Sequence, residues 1–83
     1  MEKYSLSCDQ HDYIEIACMF GYHVKLIFKD QQTLEGKAID TYTSADKHEY
    51  LIIDDGRKHQ IDFAHLKKLQ VLTAHARFSE VSF

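Results

Sequence analysis

The spacing of apolar residues changes once along this chain, at Gly21, and that change limits the folds open to it. Before Gly21 the apolar residues recur three and four positions apart, which is typical of a helix with one buried face. From Tyr22 onward they alternate with polar residues, as in strands that bury one face. We therefore predict a mainly β fold in which one N-terminal helix precedes several short strands.

The helix is predicted to cover residues 8–20, after a lead-in of residues 1–7. Ser7 and Gln10 have the spacing of a capping box, in which each side chain binds the other residue's backbone N–H. Gly21 is a suitable stop, because glycine readily adopts the left-handed conformation that commonly follows a helix. These signals predict both ends of the helix.

The two faces of this helix differ in polarity and are predicted to have different surroundings. One broad face is apolar and is expected to pack on the core: Tyr13, Ile14, Ile16, Ala17, Cys18 and Phe20. Asp12, Glu15 and Met19 lie on the opposite face, three and four positions apart, and are expected to face water.

The formal charge of the chain is concentrated in the same segment. Residues 1–20 contain four acidic residues and one lysine, whereas residues 21–83 contain nine acidic and nine basic residues. The net charge of −3 is therefore that of the N-terminal element. A net charge that is concentrated on one element gives information about binding partners rather than about the fold. Because this charge is negative, it favours a positively charged partner. The alternative is that these acids form an ordinary solvated helix surface.

The strands are predicted within residues 22–72, separated by turns. Three turns are expected, at residues 29–32, at Asp54-Asp55-Gly56 and, as a single helical turn, at residues 62–65. Gly36 and Ala38 are small enough to let a strand bend sharply. Residues 73–83 are expected to form a tail or an extra strand near residues 77–82. Short, strongly bent strands favour a small closed antiparallel barrel, with the helix covering one open end.

The length of the chain predicts a single domain over residues 1–83, because no proline or low-complexity stretch marks an internal boundary. No run approaches the ~18 apolar residues of a membrane span. The start also lacks the layout of a signal peptide, so we expect a cytoplasmic protein without membrane contacts. A pI near 6.0 gives no basic excess for general nucleic-acid binding.

The cysteines and histidines predict no catalytic or metal site. On a helix the ten positions between Cys8 and Cys18 span roughly 15 Å, whereas a disulfide needs Cα atoms within about 7 Å. His11 is the one nearby base for Cys8, and a capping or half-buried thiol is the favoured interpretation. The six histidines are scattered without metal-ligand spacing. We therefore predict a protein that is not an enzyme and has no cofactor or metal.

A short motif resembles the first signature of Sm-like barrels: Leu34, Gly36, Ala38 and then Asp40. Thr43 stands where an RNA-binding Sm protein would be expected to carry asparagine. The second Sm signature, an Arg-Gly pair before the last strand, is absent, because Asp62-Phe63 precede that strand. The motif therefore predicts an Sm-like barrel without the usual RNA site.

Four segments are distinctive in combination: residues 7–9 (Ser-Cys-Asp), 12–18 (Asp-Tyr-Ile-Glu-Ile-Ala-Cys), 34–40 (Leu-Glu-Gly-Lys-Ala-Ile-Asp) and 49–51 (Glu-Tyr-Leu). Together they resemble the Rho-binding antiterminator family (Rof, also called YaeO), over a range from about Tyr4 to Val71. Gln31 stands in a turn where the family tends to have glycine, and Ser5 stands near a usual proline. These departures concern loop geometry rather than function.

The resemblance implies a small bacterial cytoplasmic protein that binds the transcription termination factor Rho and inhibits it. Rho gathers pyrimidine-rich single-stranded RNA on primary sites in its N-terminal domain, and an inhibitor of this family occupies those sites. The partner-binding residues expected on this basis are Asp9, His11, Asp12, Glu15, Met19, Lys47 and Glu49. A chain of this kind is expected to be a monomer when free and to make no direct contact with nucleic acid.

The acidic helix face itself supplies a physical reason for such inhibition. A receptor built to attract phosphates also attracts a row of carboxylates, and RNA of the same sign is then repelled. The alternative function is an Sm-like protein that binds RNA directly, which predicts affinity for oligo-U or oligo-A and assembly into a ring. The acidic charge balance and the missing second signature count against it.

Overall fold

The computed structural model describes residues 6–83, and within them it contains one α-helix and six β-strands. Most of the predicted lead-in, including Ser5, lies outside the described residues. The elements are α1 (Cys8–Phe20), β1 (His23–Phe28), β2 (Thr33–Thr43), β3 (Glu49–Asp54), β4 (Lys58–Asp62), a 3₁₀ turn (Phe63–His65), β5 (Leu66–Val71) and β6 (Glu80–Ser82). The predicted mainly β fold with one N-terminal helix is confirmed.

Helix α1 begins and ends where the sequence predicts. The Ser7 hydroxyl accepts a hydrogen bond from the Gln10 backbone N–H at 3.1 Å, and the Gln10 side chain accepts one from the Ser7 N–H at 2.8 Å. A cap of this kind contributes about 1 kcal/mol to stability. At the other end Gly21 has φ 61°, and its N–H bonds to the carbonyls of the last turn. No helix among residues 6–83 is long and apolar enough to cross a membrane.

The six strands form one antiparallel sheet in the order β4-β3-β2-β1-β5-β6. Strand β2 has 11 residues and pairs first with β1 and then with β3. A bulge between Ala38 and Asp40 interrupts its pairing with β3, and bulges bend strands. Within residues 6–83 no ladder joins β4 to β6, so the sheet stays open where a closed barrel was expected. The last strand, β6, has three residues and pairs with β5 alone.

The core lies between this sheet and α1. Its largest fully buried side chains are Phe63, Ile14, Leu26, Leu51, Ile53, Leu66, Leu69 and Val24. Burial of such a side chain contributes roughly 1.5–3 kcal/mol. At Gly36 an added Cβ would lie 2.5 Å from Ile53 Cγ2 and 2.9 Å from the Asp54 carbonyl oxygen. Gly36 is therefore required for β2 and β3 to approach this closely.

Two aromatic residues of α1 are more exposed than the helical wheel predicted. Tyr13 is 41% exposed and Phe20 is 49% exposed. Both rings lie at the margins of the apolar face and pack against other rings rather than the core centre. The ring of Tyr13 lies 4.9 Å from that of Phe78, and the ring of Phe20 lies 5.8 Å from that of Tyr22. Tyr13 and Phe20 therefore lie at the edge of the face that was expected to pack on the core, and each ring stays partly exposed.

Candidate docking face

The exposed side of α1 carries Asp12, Glu15 and Met19, and we call these three residues the acidic ridge. Met19 is 75% exposed. On the opposite side Ile14 and Ala17 are buried in the core, so the helix is held with the ridge facing outward. Asp9 is also exposed, in the first turn, where a negative charge suits the helix dipole.

The carboxylates of the ridge are not neutralised by the described part of the chain. Five ion pairs occur among residues 6–83, and none of them includes Asp12 or Glu15. The predicted central charges are therefore available to a partner.

Two other predicted site residues, His11 and Glu49, contact each other. His11 Nε2 lies 3.1 Å from Glu49 Oε1, which joins α1 to the start of β3. The side chain of His11 is 45% exposed, whereas that of Glu49 is only 18% exposed. The second carboxylate oxygen of Glu49 is buried, and none of the residues that the structure describes forms a hydrogen bond with it. This contact joins the first turn of the helix to the sheet.

Lys47 lies in the loop that connects β2 to β3, two positions before Glu49. Its backbone has φ 66°, a left-handed conformation, and its N–H donates to the Ser44 carbonyl at 2.8 Å. The Ser44 hydroxyl donates to Asp46, and this bond is the main reason that the pKa of Asp46 is lowered. Polar groups within the loop thus order it. The His11–Glu49 contact places the end of the loop beside α1.

A groove runs between the second half of α1 and β2. Its larger part has a volume of about 370 Å³ and is lined by Glu15, Cys18, Met19, Ile39, Asp40 and Thr41. An adjoining part of about 290 Å³ shares Cys18, Met19 and Ile39 and extends to Lys37 and Gly21. The acidic ridge is therefore continuous with a concave, partly apolar surface.

Asp40 belongs to this groove although it was not among the predicted site residues. Simple alternation along β2 places it on the same side as Leu34, Gly36 and Ala38. The bulge that follows Ala38 changes the register, so Ala38 is buried whereas Asp40 is exposed. The sequence contains no signal for a bulge at this position, and only the pairing with β3 reveals it.

The two cysteines are both free thiols, as expected, and they differ in environment. Cys8 is exposed at the start of α1, whereas Cys18 is partly buried in the groove. Burial raises the pKa of the Cys18 thiol to about 11, and the charges of Asp40 and Glu15 contribute to the rise. A thiol with a raised pKa is a poor nucleophile at neutral pH.

The histidines of the sheet pair with carboxylates of this chain. His48 Nε2 lies 2.7 Å from Asp62 Oδ2, and His59 Nε2 lies 2.9 Å from Asp55 Oδ1. The His59 bond is the main reason that the pKa of Asp55 is lowered. In residues 6–83 no three His, Cys, Asp or Glu side chains are placed to hold a metal ion together.

Comparison with solved structures identifies a similar protein. A structure titled "YaeO bound to Magnesium", from Vibrio cholerae O395, superposes on this chain with a TM-score of 0.76. The two sequences are 26% identical, and the match covers 99% of each chain. A search of curated proteins finds no match. The magnesium belongs to the Vibrio structure.

Comparison with family models extends the match to function. The model of the ROF family, described as modulator of Rho-dependent transcription termination, matches residues 5–83. This range includes α1 and all six strands described above. The family resemblance inferred from the sequence is thus confirmed. The chain belongs to the ROF family of modulators of Rho-dependent transcription termination.

Proposed function

We propose that this protein is a non-enzymatic inhibitor of Rho-dependent termination that acts in the cytoplasm. It binds the N-terminal domain of Rho and covers the primary RNA-binding sites there, with the acidic ridge as the main contact surface. The observation that carries the proposal is the exposed charge of Asp12 and Glu15, which has no cationic partner within residues 6–83.

The proposed fit between the two surfaces is electrostatic. A site that holds RNA phosphates is positively charged, so it also attracts carboxylates held at a fixed spacing. Ile14 and Ala17 fix the helix on the core, so the ridge is ordered before binding and less entropy is lost on association. RNA has the same sign as the ridge, and the bound inhibitor therefore repels it.

The other predicted residues surround the ridge and have supporting roles in this proposal. Asp9 extends the negative charge to the start of the helix. Met19 offers a flexible, exposed apolar side chain that adapts to the partner. Lys47 and Glu49 form the rim on the side of the β2–β3 loop. His11 is half exposed, so it can touch the partner while Glu49 holds it.

A competition experiment tests the proposal. Labelled poly-C is bound to the Rho hexamer, and the concentration of this protein that displaces half of it is measured. The double variant Asp12→Lys and Glu15→Lys is expected to raise that concentration more than a hundredfold, because attraction becomes repulsion. Displacement by the wild type is expected to weaken steeply with added salt, since charges beyond about 10 Å are screened at 0.1 M.

A matched control variant shows whether the position of the substituted acids matters or only the change in net charge. The variant Asp30→Lys and Glu35→Lys has the same formal charge change, but its two residues lie in the turn before β2 and near the start of β2, and neither lines the groove beside α1. It is expected to keep most of the wild-type potency. If the ridge variant still displaces poly-C as well as this control does, the ridge is not the contact surface.

A second candidate function is direct RNA binding, and one observation favours it. The ring of Tyr50 lies 6.0 Å from that of Tyr42 and 5.4 Å from that of His48. Tyr42 is largely exposed, and exposed rings on a sheet can stack on bases. This function predicts that the protein alone binds labelled oligo-U or oligo-A, and that Tyr42→Ala removes this binding. Displacement of poly-C from Rho without such binding supports the inhibitor function instead.

A further inference from the structure

We propose that the groove between α1 and β2 binds one arginine side chain of the basic partner, between the carboxylates of Glu15 and Asp40. The identity of the partner rests on the proposed function, whereas the preference for an arginine side chain rests on the lining of the groove. Asp40 thereby becomes a docking residue in addition to those of the ridge.

The lining of the groove combines two kinds of surface. Met19, Ile39 and Cys18 provide apolar contacts, and Glu15 and Asp40 provide carboxylates, around a volume of about 370 Å³. An arginine side chain has the same division, with an apolar stem and a planar charged end. The stem fits the apolar contacts, and the guanidinium, with five N–H donors, can serve two carboxylates together.

The carboxylate of Asp40 is held in place before any partner arrives. Its Oδ1 accepts a hydrogen bond from the Thr41 backbone N–H at 2.8 Å. Oδ2 is left for a partner, since no ion pair among residues 6–83 includes Asp40 or Glu15. A pre-ordered acceptor loses little entropy when it binds, which favours docking.

The carboxylates of Asp40 and Glu15 both influence the Cys18 thiol in the groove. Both raise the pKa of the Cys18 thiol, after burial, which is the largest cause. The negative charges of Asp40 and Glu15 are thus close enough to Cys18 for their fields to combine there. The one basic residue along the groove, Lys37, lines the adjoining part and not this one. The larger part therefore favours a cation.

The first test measures affinity for the Rho hexamer with two single variants of β2. Asp40→Asn removes the charge but keeps an oxygen for the Thr41 N–H, so the bulge is preserved. Glu35→Gln removes one charge from the same strand outside the groove. Asp40→Asn is expected to weaken binding about tenfold, as for loss of a charge-assisted hydrogen bond, and Glu35→Gln less than twofold.

The second test does not involve Rho. Nα-acetyl-arginine amide is added to the free protein, and backbone amide shifts are followed by NMR. Shifts are expected at Met19, Ile39 and Thr41 in the wild type and in Glu35→Gln, and they are expected to shrink in Asp40→Asn. The citrulline analogue, in which a neutral urea replaces the guanidinium, is expected to cause none. Should Asp40→Asn fail to fold by circular dichroism, the comparison of the arginine and citrulline compounds on the wild type decides the proposal, because that comparison needs no substitution.

The outcomes separate the two proposals. The arginine site is supported if Asp40→Asn binds Rho more weakly than Glu35→Gln does and if the NMR shifts are confined to the groove. The arginine site is overturned if Asp40→Asn and Glu35→Gln bind Rho with equal affinity, or if the NMR shifts spread over the whole surface. In either case the proposed function still holds, provided that the wild type binds Rho. If the wild type does not bind Rho, the proposed function is wrong, and the NMR titration alone decides whether the groove binds arginine.

Discussion

The acidic residues of this protein form two groups that differ in what they bind. Asp46, Asp55 and Asp62 lie in or beside loops and bind serine, histidine and backbone N–H groups of their own chain. Asp12 and Glu15 lie on α1 and form no ion pair within residues 6–83. The loop acids stabilise the fold, whereas the ridge acids have no cationic partner in the part of the chain that the structure describes.

The ridge acids repel one another, and this loss of stability suggests that they serve binding rather than folding. Like charges three positions apart on a helix repel, and Asp9, Asp12 and Glu15 have that spacing. Asp9 is favourably placed at the start of the helix, but the mutual repulsion along the row lowers stability. The row is useful when a positively charged partner is present, and the following predictions test whether the two groups behave differently.

The largest effect is expected at Cys18, which responds to the charges in the groove. Because the pKa of this thiol is about 11, roughly one molecule in a thousand carries the thiolate at pH 8. In a Cys8→Ser background, alkylation of Cys18 by iodoacetamide at pH 8 is expected to be about a hundredfold slower in the native protein than in urea.

The same alkylation assay can separate the effect of the groove carboxylates on the pKa of Cys18 from the effect of burial. Adding Asp40→Asn and Glu15→Gln is expected to lower the pH midpoint of alkylation, since both carboxylates raise the pKa of Cys18. Glu35→Gln is the control and is expected to leave the midpoint unchanged. An unchanged midpoint in all variants would mean that the ridge and groove acids exert no joint field on Cys18.

A large loss of stability is expected for a loop acid. Asp62 accepts hydrogen bonds from the Ala64 N–H at 2.8 Å and pairs with His48 at 2.7 Å. Asp62→Ala removes both and should lower the free energy of unfolding by about 2 kcal/mol, measured by urea denaturation. Asp12→Ala should change it by less than about 0.5 kcal/mol, because the side chain of Asp12 makes neither kind of contact within residues 6–83. Similar losses for both variants would contradict the division into two groups.

A smaller effect is expected on the acid side of the stability curve. Hydrogen bonds from Ser44 to Asp46 and from His59 to Asp55 lower the pKa of each carboxyl below its unfolded value of about 3.9. Groups of this kind add stability above the unfolded pKa, and that stability is lost as pH falls through the folded pKa. Asp46→Asn and Asp55→Asn should therefore be less stable than the wild type at pH 6, and the difference should shrink in urea titrations as pH falls from about 3.9 through the lowered folded pKa. Parallel curves at every pH would contradict this assignment.

Much of the fold could be predicted because its signals are local. The capping box of Ser7 and Gln10, the stop at Gly21 and the turn at Asp54-Asp55-Gly56 each depend on neighbouring residues, and the structure has all of them in place. The strand order and the open edge between β4 and β6 depend on pairing between distant segments, and one sequence does not reveal such pairing. The bent, Sm-like antiparallel fold was thus predicted correctly, whereas the open edge between β4 and β6 was not.

The candidate site shows the same limit at the level of single residues. Exposure of Asp12, Glu15 and Met19 follows from helical spacing alone. The His11–Glu49 contact and the exposure of Asp40 depend on how α1 and the bulged β2 meet the rest of the sheet. Sequence reasoning therefore found the charged ridge but missed the groove beside it.

The smallest expected effect is a gain in stability at the ridge itself. Glu15 follows Asp12 by three positions and has no ion pair within the described residues, so Glu15→Gln removes repulsion without breaking a contact. The free energy of unfolding should rise by about 0.3 kcal/mol, and poly-C competition on Rho should weaken at the same time. Urea denaturation at low salt measures the gain, which should vanish at 1 M salt because the repulsion is then screened. A loss of stability in Glu15→Gln would place Glu15 with the loop acids, as a residue that holds the fold rather than a partner.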